Sequence, residues 1–198
     1  MANASGYLQE SFPATADAYV TMRVRIVSLP SGSPRFVMLS NGGTTVGNLT
    51  LTSAGRLRLR NGSATIGSES AQLVAGNTYL IGLRQARGTG NDAILEAFVA
   101  PDGGTFGPAF ARLTTGTWTS SADRIRFGAT NNSAVNVMID DVLVADGGQP
   151  APIAMSSTIV LAAAAPGSSY AFASVDRRLS GTAIGPGYLY SCPVTTVA

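Results

Sequence analysis

The feature that most constrains the fold is a series of short β-type runs, separated by turn signals, that extends from residue 18 to residue 144. The run Tyr19–Ile26 is the clearest, because Val20, Met22 and Val24 alternate with polar residues. A strand with this period of two buries one side and exposes the other. The region contains no convincing helical pattern of three turns. The sequence therefore predicts an all-β domain whose strands pack in two layers.

Other strands are indicated by the same alternation. Asn48–Thr52 and Arg56–Arg60 flank a turn at Ser53–Gly55, and the leucines at alternate positions of both arms can bury one face together. The remaining β-type runs are Arg35–Ser40, Tyr79–Arg84, Ala93–Val99, Ala109–Leu113, Arg124–Gly128 and Val137–Val144.

Two adjacent carboxylates, Asp140 and Asp141, interrupt the apolar run Val137–Val144. A buried carboxylate is costly unless it is paired, hydrogen-bonded or bound to a cation. One interpretation is that one aspartate faces outwards and the other tethers a neighbouring loop. The other is a structural Ca²⁺ site, since Ca²⁺ takes carboxylate and carbonyl oxygens.

The composition changes after Gly148, where Pro150 and Pro152 indicate a boundary. We expect a β-sandwich over residues 1–148 and a C-terminal extended segment over residues 149–198. About 50 residues bury little core alone, so this segment should lean on the sandwich or on another subunit. It is either an extra hairpin on its own domain or a docking arm, because aromatics supply contact area at low entropic cost. The aromatic residues of such an arm are Tyr170, Phe172, Tyr188 and Tyr190.

The order of four short motifs resembles the laminin-G-like, concanavalin A-like jelly roll. The motifs are Leu73–Tyr79, Phe98–Gly103, Ile125–Gly128 and Ile139–Val142. The resemblance covers about residues 6–146 and departs from the family pattern at Tyr79, where a tryptophan is usual. It implies a two-sheet antiparallel jelly-roll sandwich, here followed by a short extended β appendage.

The residue inventory argues against catalysis. The chain has no histidine and one cysteine, which excludes the Ser-His-Asp arrangement and a Cys/His nucleophile pair. Jelly-roll glycosidases need two carboxylates that flank one bond, and Glu10, Glu69 and Glu96 are not spaced as such a pair. Glu96 and Asp92 are expected to lie apart in solvent. We therefore predict that the chain is not an enzyme.

All 13 basic residues are arginine, a bias typical of a GC-rich genome such as that of an actinobacterium or its viruses. Seven of them fall in the polar phase of predicted strands, where they form either a solvated face or a surface for an acidic partner. These are Arg23, Arg25, Arg56, Arg58, Arg60, Arg124 and Arg126. A net charge of +2 and the lack of interleaved aromatics give no reason to expect nucleic-acid binding.

Glycan binding by a sheet usually needs an exposed aromatic platform and polar groups at its rim. Trp118, the single tryptophan, is the best candidate platform, and it can equally plug the core. Asn131 and Asn132 are candidate rim ligands or simply turn residues.

The first functional hypothesis is a virion protein of a tailed phage, either a capsid decoration or a minor tail protein. Phage proteins with laminin-G-like domains, as the resemblance implies, decorate heads or tails, and some bind host glycans. Such a chain would dock on other virion subunits, form a homo-oligomer and lie at the virion surface. No secretion signal or membrane span is predicted from the sequence. The alternative is a carbohydrate-binding module of a bacterial cell-surface protein.

Overall fold

The computed structural model describes residues 6–129, 133–148, 158–161 and 187–188 of the 198. These residues form two antiparallel sheets, and none of them lies in a helix. The expected all-β sandwich of jelly-roll type is confirmed. Accordingly, no helix of the described part is long and apolar enough to cross a membrane.

Sheet A has six strands in the order β1-β10-β3-β4-β5-β6. Its strands are β1 (Gly6–Thr15), β3 (Arg35–Asn41), β4 (Thr44–Leu51), β5 (Leu57–Asn61), β6 (Ala64–Ile66) and β10 (Ala122–Ala129).

Sheet B has seven strands, ordered β12-β11-β2-β7-β8-β9, and β13 also pairs with β11. Its strands are β2 (Asp17–Ser28), β7 (Thr78–Ala86), β8 (Ala93–Pro101), β9 (Ala111–Gly116), β11 (Asn136–Asp146), β12 (Thr158–Leu161) and β13 (Gly187–Tyr188).

The core lies between the sheets and consists of the apolar side chains that point inwards at alternate positions of the strands. Met22, Leu49, Leu59 and Ile125 are fully or almost fully buried there. Gly47 also faces the opposite sheet, because a β-carbon at this position would lie 2.5 Å from the Cδ1 atom of Leu95. Since side chains alternate along each strand, the polar phases of β4, β5 and β10 form the outer face of sheet A.

Every strand predicted between residues 18 and 144 is present, with ends shifted by a few residues. Two strands were missed. β1 contains Pro13 and has a weak alternation, and β6 has three residues, so neither gives a clear pattern. Both lie at the edges of sheet A in the described part, where a strand needs less apolar surface.

Two pieces of the predicted C-terminal segment pair with β11. Thr158–Leu161 runs antiparallel to the first half of β11, from Asp140↔Thr158 to Val137↔Leu161. Tyr188 and Gly187 pair with the second half, opposite Val144 and Ala145. The proposed boundary at residue 148 stays a prediction, and Tyr170, Phe172 and Tyr190 lie outside the described residues.

Candidate functional site

The seven arginines expected on one surface lie on two opposite faces. Arg23 and Arg25 are on β2 in sheet B. Arg58 and Arg60 on β5, Arg124 and Arg126 on β10, and Arg56 just before β5 belong to sheet A. The expectation of a single surface is wrong on this point, because β2 and the pair β5 and β10 are in different layers. A pattern of alternation gives the face of each strand but not the sheet to which the strand belongs.

We call the outer side of sheet A the arginine face. It carries the polar phase of β3, β4, β5 and β10, with Arg35 and Arg56 at the same end as Arg58. Its six arginines are Arg35, Arg56, Arg58, Arg60, Arg124 and Arg126.

Two of these arginines form ion pairs with carboxylates of the described residues. Arg58 pairs with Glu69, and Nε of Arg124 donates to Oδ1 of Asp123 at 2.8 Å. The carboxylate of Asp123 also accepts the N–H of Gly42. The guanidinium of Arg124 is the main cause of a lowered pKa at Asp123, with the Gly42 bond a smaller contribution.

Arg60 and Arg126 have no carboxylate partner among the described residues. Arg126 donates from Nε to the Oε1 atom of Gln9 at 2.8 Å, and its guanidinium lies 4.8 Å from the centroid of the Tyr7 ring. Arg60 donates from Nη2 to the carbonyl of Ser63, while its Nε is buried with no partner. Both cations are therefore available to an anion.

Buried polar groups lie on β3 and β4, the two strands between β10 and β5. The outward-facing side chains of Ser40, Asn48 and Thr50 are buried, and Ser40 Oγ, Asn48 Oδ1 and Thr50 Oγ1 have no hydrogen-bond partner. A buried polar group without a partner costs about 1–3 kcal/mol, so three of them on one face call for an explanation.

The outer face of sheet B carries a row of side chains with alternating charges. Arg84 donates to both oxygens of Asp17 and to Oε2 of Glu96, whose Oε1 lies 2.8 Å from Nε of Arg112. The buried Tyr19 lies beside this row of charged side chains, and its hydroxyl has no hydrogen-bond partner in the described residues. Burial raises the pKa of Tyr19, and the nearby Glu96 adds to the rise.

The structure corrects the expectation for Glu96, which was predicted to lie in solvent apart from Asp92. Asp92 is exposed and accepts the N–H groups of Thr89 and Gly90 in its own turn. Glu96 is instead buried and paired on both sides. The sequence could not show this, because Arg84 and Arg112 lie on the strands adjacent to β8 and not near Glu96 in the chain.

A β-bulge explains the Asp140–Asp141 pair. Asp140 pairs with Arg23 and Leu143 with Thr21, so that two residues of β11 oppose the single residue Met22. Asp141 has a φ of 49°, a left-handed conformation that aspartate tolerates better than most residues.

The bulge places the Asp141 carboxylate near Arg23. Oδ2 of Asp141 lies 3.2 Å from Nη1 of Arg23, whose Nε and Nη2 donate to both oxygens of Asp102. This contact is the tether that the first interpretation expected, since Asp102 begins the turn after β8. Burial raises the pKa of Asp141 despite Arg23, whereas the bond from Arg23 lowers the pKa of Asp102.

A calcium ion gains no support from this geometry. Ca²⁺ takes six to eight oxygen ligands. Both Asp102 oxygens and one Asp141 oxygen already bind the guanidinium of Arg23, and no group of three acidic, histidine or cysteine residues within the described part could hold a metal ion. Arg23 is the counter-ion of the Asp141 carboxylate.

Trp118 packs against the edge of the core. Its indole N–H donates to the carbonyl of Ala86 at 3.0 Å, and its own carbonyl accepts the N–H of Gly88. The six-membered ring lies directly over the α-carbon of Gly116, where a β-carbon would overlap with it. Trp118 is half-buried and its hydrogen-bonding group is used internally. The proposed rim ligands Asn131 and Asn132 lie outside the described residues.

Sequence reasoning missed the row of buried polar groups on the arginine face. The signal was present in Asn48-Leu49-Thr50-Leu51, where the polar residues alternate with core leucines. It was read as a hairpin arm, since a sequence does not reveal that an outward-facing residue is buried.

The chain matches no protein-family model, and no curated protein matches it either. Solved structures similar to it include the sialidase of Trypanosoma rangeli, with a TM-score of 0.46 and 16% identity over 65% of this chain. The chain spans only 20% of the length of the sialidase.

This chain covers a larger share of two further similar structures. The heptameric SAP-like pentraxin of Limulus polyphemus has a TM-score of 0.49 and 14% identity over 73% of this chain and 71% of the pentraxin. Scytalido-glutamic peptidase has a TM-score of 0.43 and 11% identity over 73% of this chain and 82% of the peptidase. The strand order of the two sheets itself defines the class, a two-sheet antiparallel β-sandwich.

These similarities correct one prediction. The sequence led us to expect that the chain is not an enzyme, and this is contradicted by the presence of a sialidase and a glutamic peptidase among its structural neighbours. At 11–16% identity the likeness concerns the fold alone and assigns no activity or catalytic residue to this chain.

Proposed function

We propose that the chain is a structural protein of a virus particle, either a capsid decoration or a minor tail protein. In this proposal residues 149–198 dock on neighbouring subunits and the β-sandwich is displayed at the virion surface. The observation that carries it is the pairing of β12 and β13 with β11. Strand addition to a sheet edge uses main-chain hydrogen bonds and works equally well between chains.

The lengths of the two added strands support an exchangeable contact. β12 has four residues and β13 has two, both below the usual strand length of about five or six. Short strands at a sheet edge open at low free-energy cost. The same pieces can therefore bind β11 of their own chain or of another subunit.

The test compares the mass in solution of the full chain and of a chain that ends at Gly148, measured by light scattering. We expect the full chain to form a defined multiple of 20.2 kDa and the shortened chain to be a folded monomer. Ile159→Pro in the full chain, which removes a main-chain donor opposite Ile139, should weaken the assembly. Folded monomers in all three samples would contradict the docking role.

A second candidate is a carbohydrate-binding module of a bacterial cell-surface protein, which the unpaired polar groups of the arginine face favour. Cell fractionation separates the two candidates. A virion protein is detected by mass spectrometry in purified particles, and a surface module is detected in the cell-wall fraction.

A further inference from the structure

We infer that the arginine face binds an acidic polysaccharide, with Arg60 and Arg126 holding carboxylates and Ser40, Asn48 and Thr50 bonding sugar hydroxyls. This inference rests on the proposed display of the β-sandwich at a surface. It names the ligand and the side of the sandwich that meets it.

Charge is distributed unequally between the two outer faces. The arginine face carries six arginines, and its ion pairs in the described residues include those of Arg58 with Glu69 and of Arg124 with Asp123. The outer face of sheet B carries four arginines and five carboxylates. They are Arg23, Arg25, Arg84, Arg112, Asp17, Glu96, Asp102, Asp140 and Asp141. An anionic ligand is therefore steered to sheet A and not to the opposite face.

The positions of Arg60 and Arg126 favour a polymer over a small anion. Arg126 pairs with Met38, Met38 with Asn48, and Asn48 with Arg60, so that one row crosses four strands. With strands about 4.8 Å apart, the backbones of Arg126 and Arg60 are separated by roughly 14 Å. A small anion does not bridge this distance, whereas a chain of linked acidic sugars presents carboxylates at intervals along its length.

The buried polar groups of β3 and β4 select hydroxyls, with Asn48 in this row, Thr50 opposite Arg58 and Ser40 opposite Arg124. Asn48 already donates from Nδ2 to the carbonyl of Gly62, and its Oδ1 still needs a donor. A carboxylate is an acceptor and does not satisfy it. The unpaired hydroxyls of Ser40 and Thr50 can each donate and accept. Sugar hydroxyls have the same dual capacity, so these groups match a glycan better than an acidic peptide.

Access to this row requires movement of a long side chain. Asn48 and Thr50 have no exposed surface, and their cross-strand neighbours are Arg60 and Arg58. Arg60 is held by one hydrogen bond to the Ser63 carbonyl. We therefore expect its guanidinium to swing outwards and uncover Asn48 when a ligand carboxylate offers a charge-assisted bond in its place.

The experiment measures binding of the full chain to alginate oligosaccharides by calorimetry. The wild-type chain is compared with Arg60→Ala, Arg126→Ala and the control Arg25→Ala, which removes an exposed arginine from the opposite face. We expect each of the first two changes to weaken binding about tenfold, since each removes a charge-assisted contact, and the control to leave it unchanged. Circular dichroism confirms that all variants fold.

Two other probes test the choice of ligand. Neutral dextran should bind far more weakly than alginate because it lacks the carboxylates, and polyglutamate should bind more weakly because it lacks the hydroxyls. Equal binding of polyglutamate would overturn the inference in favour of an acidic protein. Absence of alginate binding, or equal losses in Arg25→Ala, would also overturn it. The light-scattering result is independent, so a failure here leaves the docking role standing, and the reverse also holds.

Discussion

Trp118→Ala decides whether the single tryptophan is part of the core or a platform for a ligand. Complete burial would make a Trp→Ala change cost about 3–5 kcal/mol. Trp118 is half-buried and also donates one hydrogen bond to Ala86, worth about 1 kcal/mol. We therefore expect the free energy of unfolding to fall by about 2–3 kcal/mol, measured by urea denaturation.

A double-mutant cycle with Gly116 sharpens this test. Gly116→Ala places a methyl group where the indole ring lies, so it should cost about 1–3 kcal/mol in the wild-type chain. In the Trp118→Ala background the same change should cost almost nothing, which gives a coupling energy above about 1 kcal/mol.

The matched control removes an exposed aromatic. Tyr7 is 44% exposed, and Tyr7→Ala should change the free energy of unfolding by less than about 0.5 kcal/mol. Additive effects of Trp118→Ala and Gly116→Ala, together with a loss below about 1 kcal/mol for Trp118→Ala, would refute the packing described here. Trp118 would then return as a candidate sugar platform.

Two further predictions concern the contacts of Arg23. Asp141→Asn should leave the free energy of unfolding at pH 7 unchanged or slightly higher, because asparagine tolerates a φ of 49° and the buried charge is removed. Asp141→Val should lower the free energy of unfolding by about 1–2 kcal/mol, because a β-branched residue is strained at this φ. Equal losses in both variants, measured by urea denaturation, would show that the charge of Asp141 is stabilising. The pKa of Asp102 is lowered by Arg23, so its stabilising effect is present above the ordinary carboxyl pKa and is lost as the pH falls through the folded-state pKa. Since Asp102 is 40% exposed, Asp102→Asn should lower the free energy of unfolding by less than about 1 kcal/mol at pH 7. The variant should also lose less stability than the wild-type chain when the pH is lowered to 2. An unchanged dependence of stability on pH would argue against the contact between Arg23 and Asp102.

Strand positions were predictable because they depend on local alternation. The leucines of β4 and β5 and the apolar phase of β2 define which side of each strand is buried, and the structure places them in the core. The turn at Gly55 has a positive φ of 75°, as expected where a glycine ends a hairpin arm. These features follow from neighbouring residues and need no knowledge of the sheet.

The candidate site was predicted in part. Arg58, Arg60, Arg124 and Arg126 were expected on a polar strand face, and the structure places them on one side of sheet A. Their grouping without Arg23 and Arg25 was not predictable, because it depends on which strands pair across long distances in the chain. The same limit hid the ion pairs of Glu96.

The sequence by itself determined an all-β chain, the face of each strand and the residues of the core, since hydrophobic alternation acts over a few residues. The tertiary structure alone decided that β10 lies beside β3, that Met38 and Asn48 lie between Arg126 and Arg60, and that Arg23 joins Asp102 to Asp141. These arrangements come from the pairing of distant strands, whose order in a sheet is fixed by the packing of the whole sandwich and by no single segment.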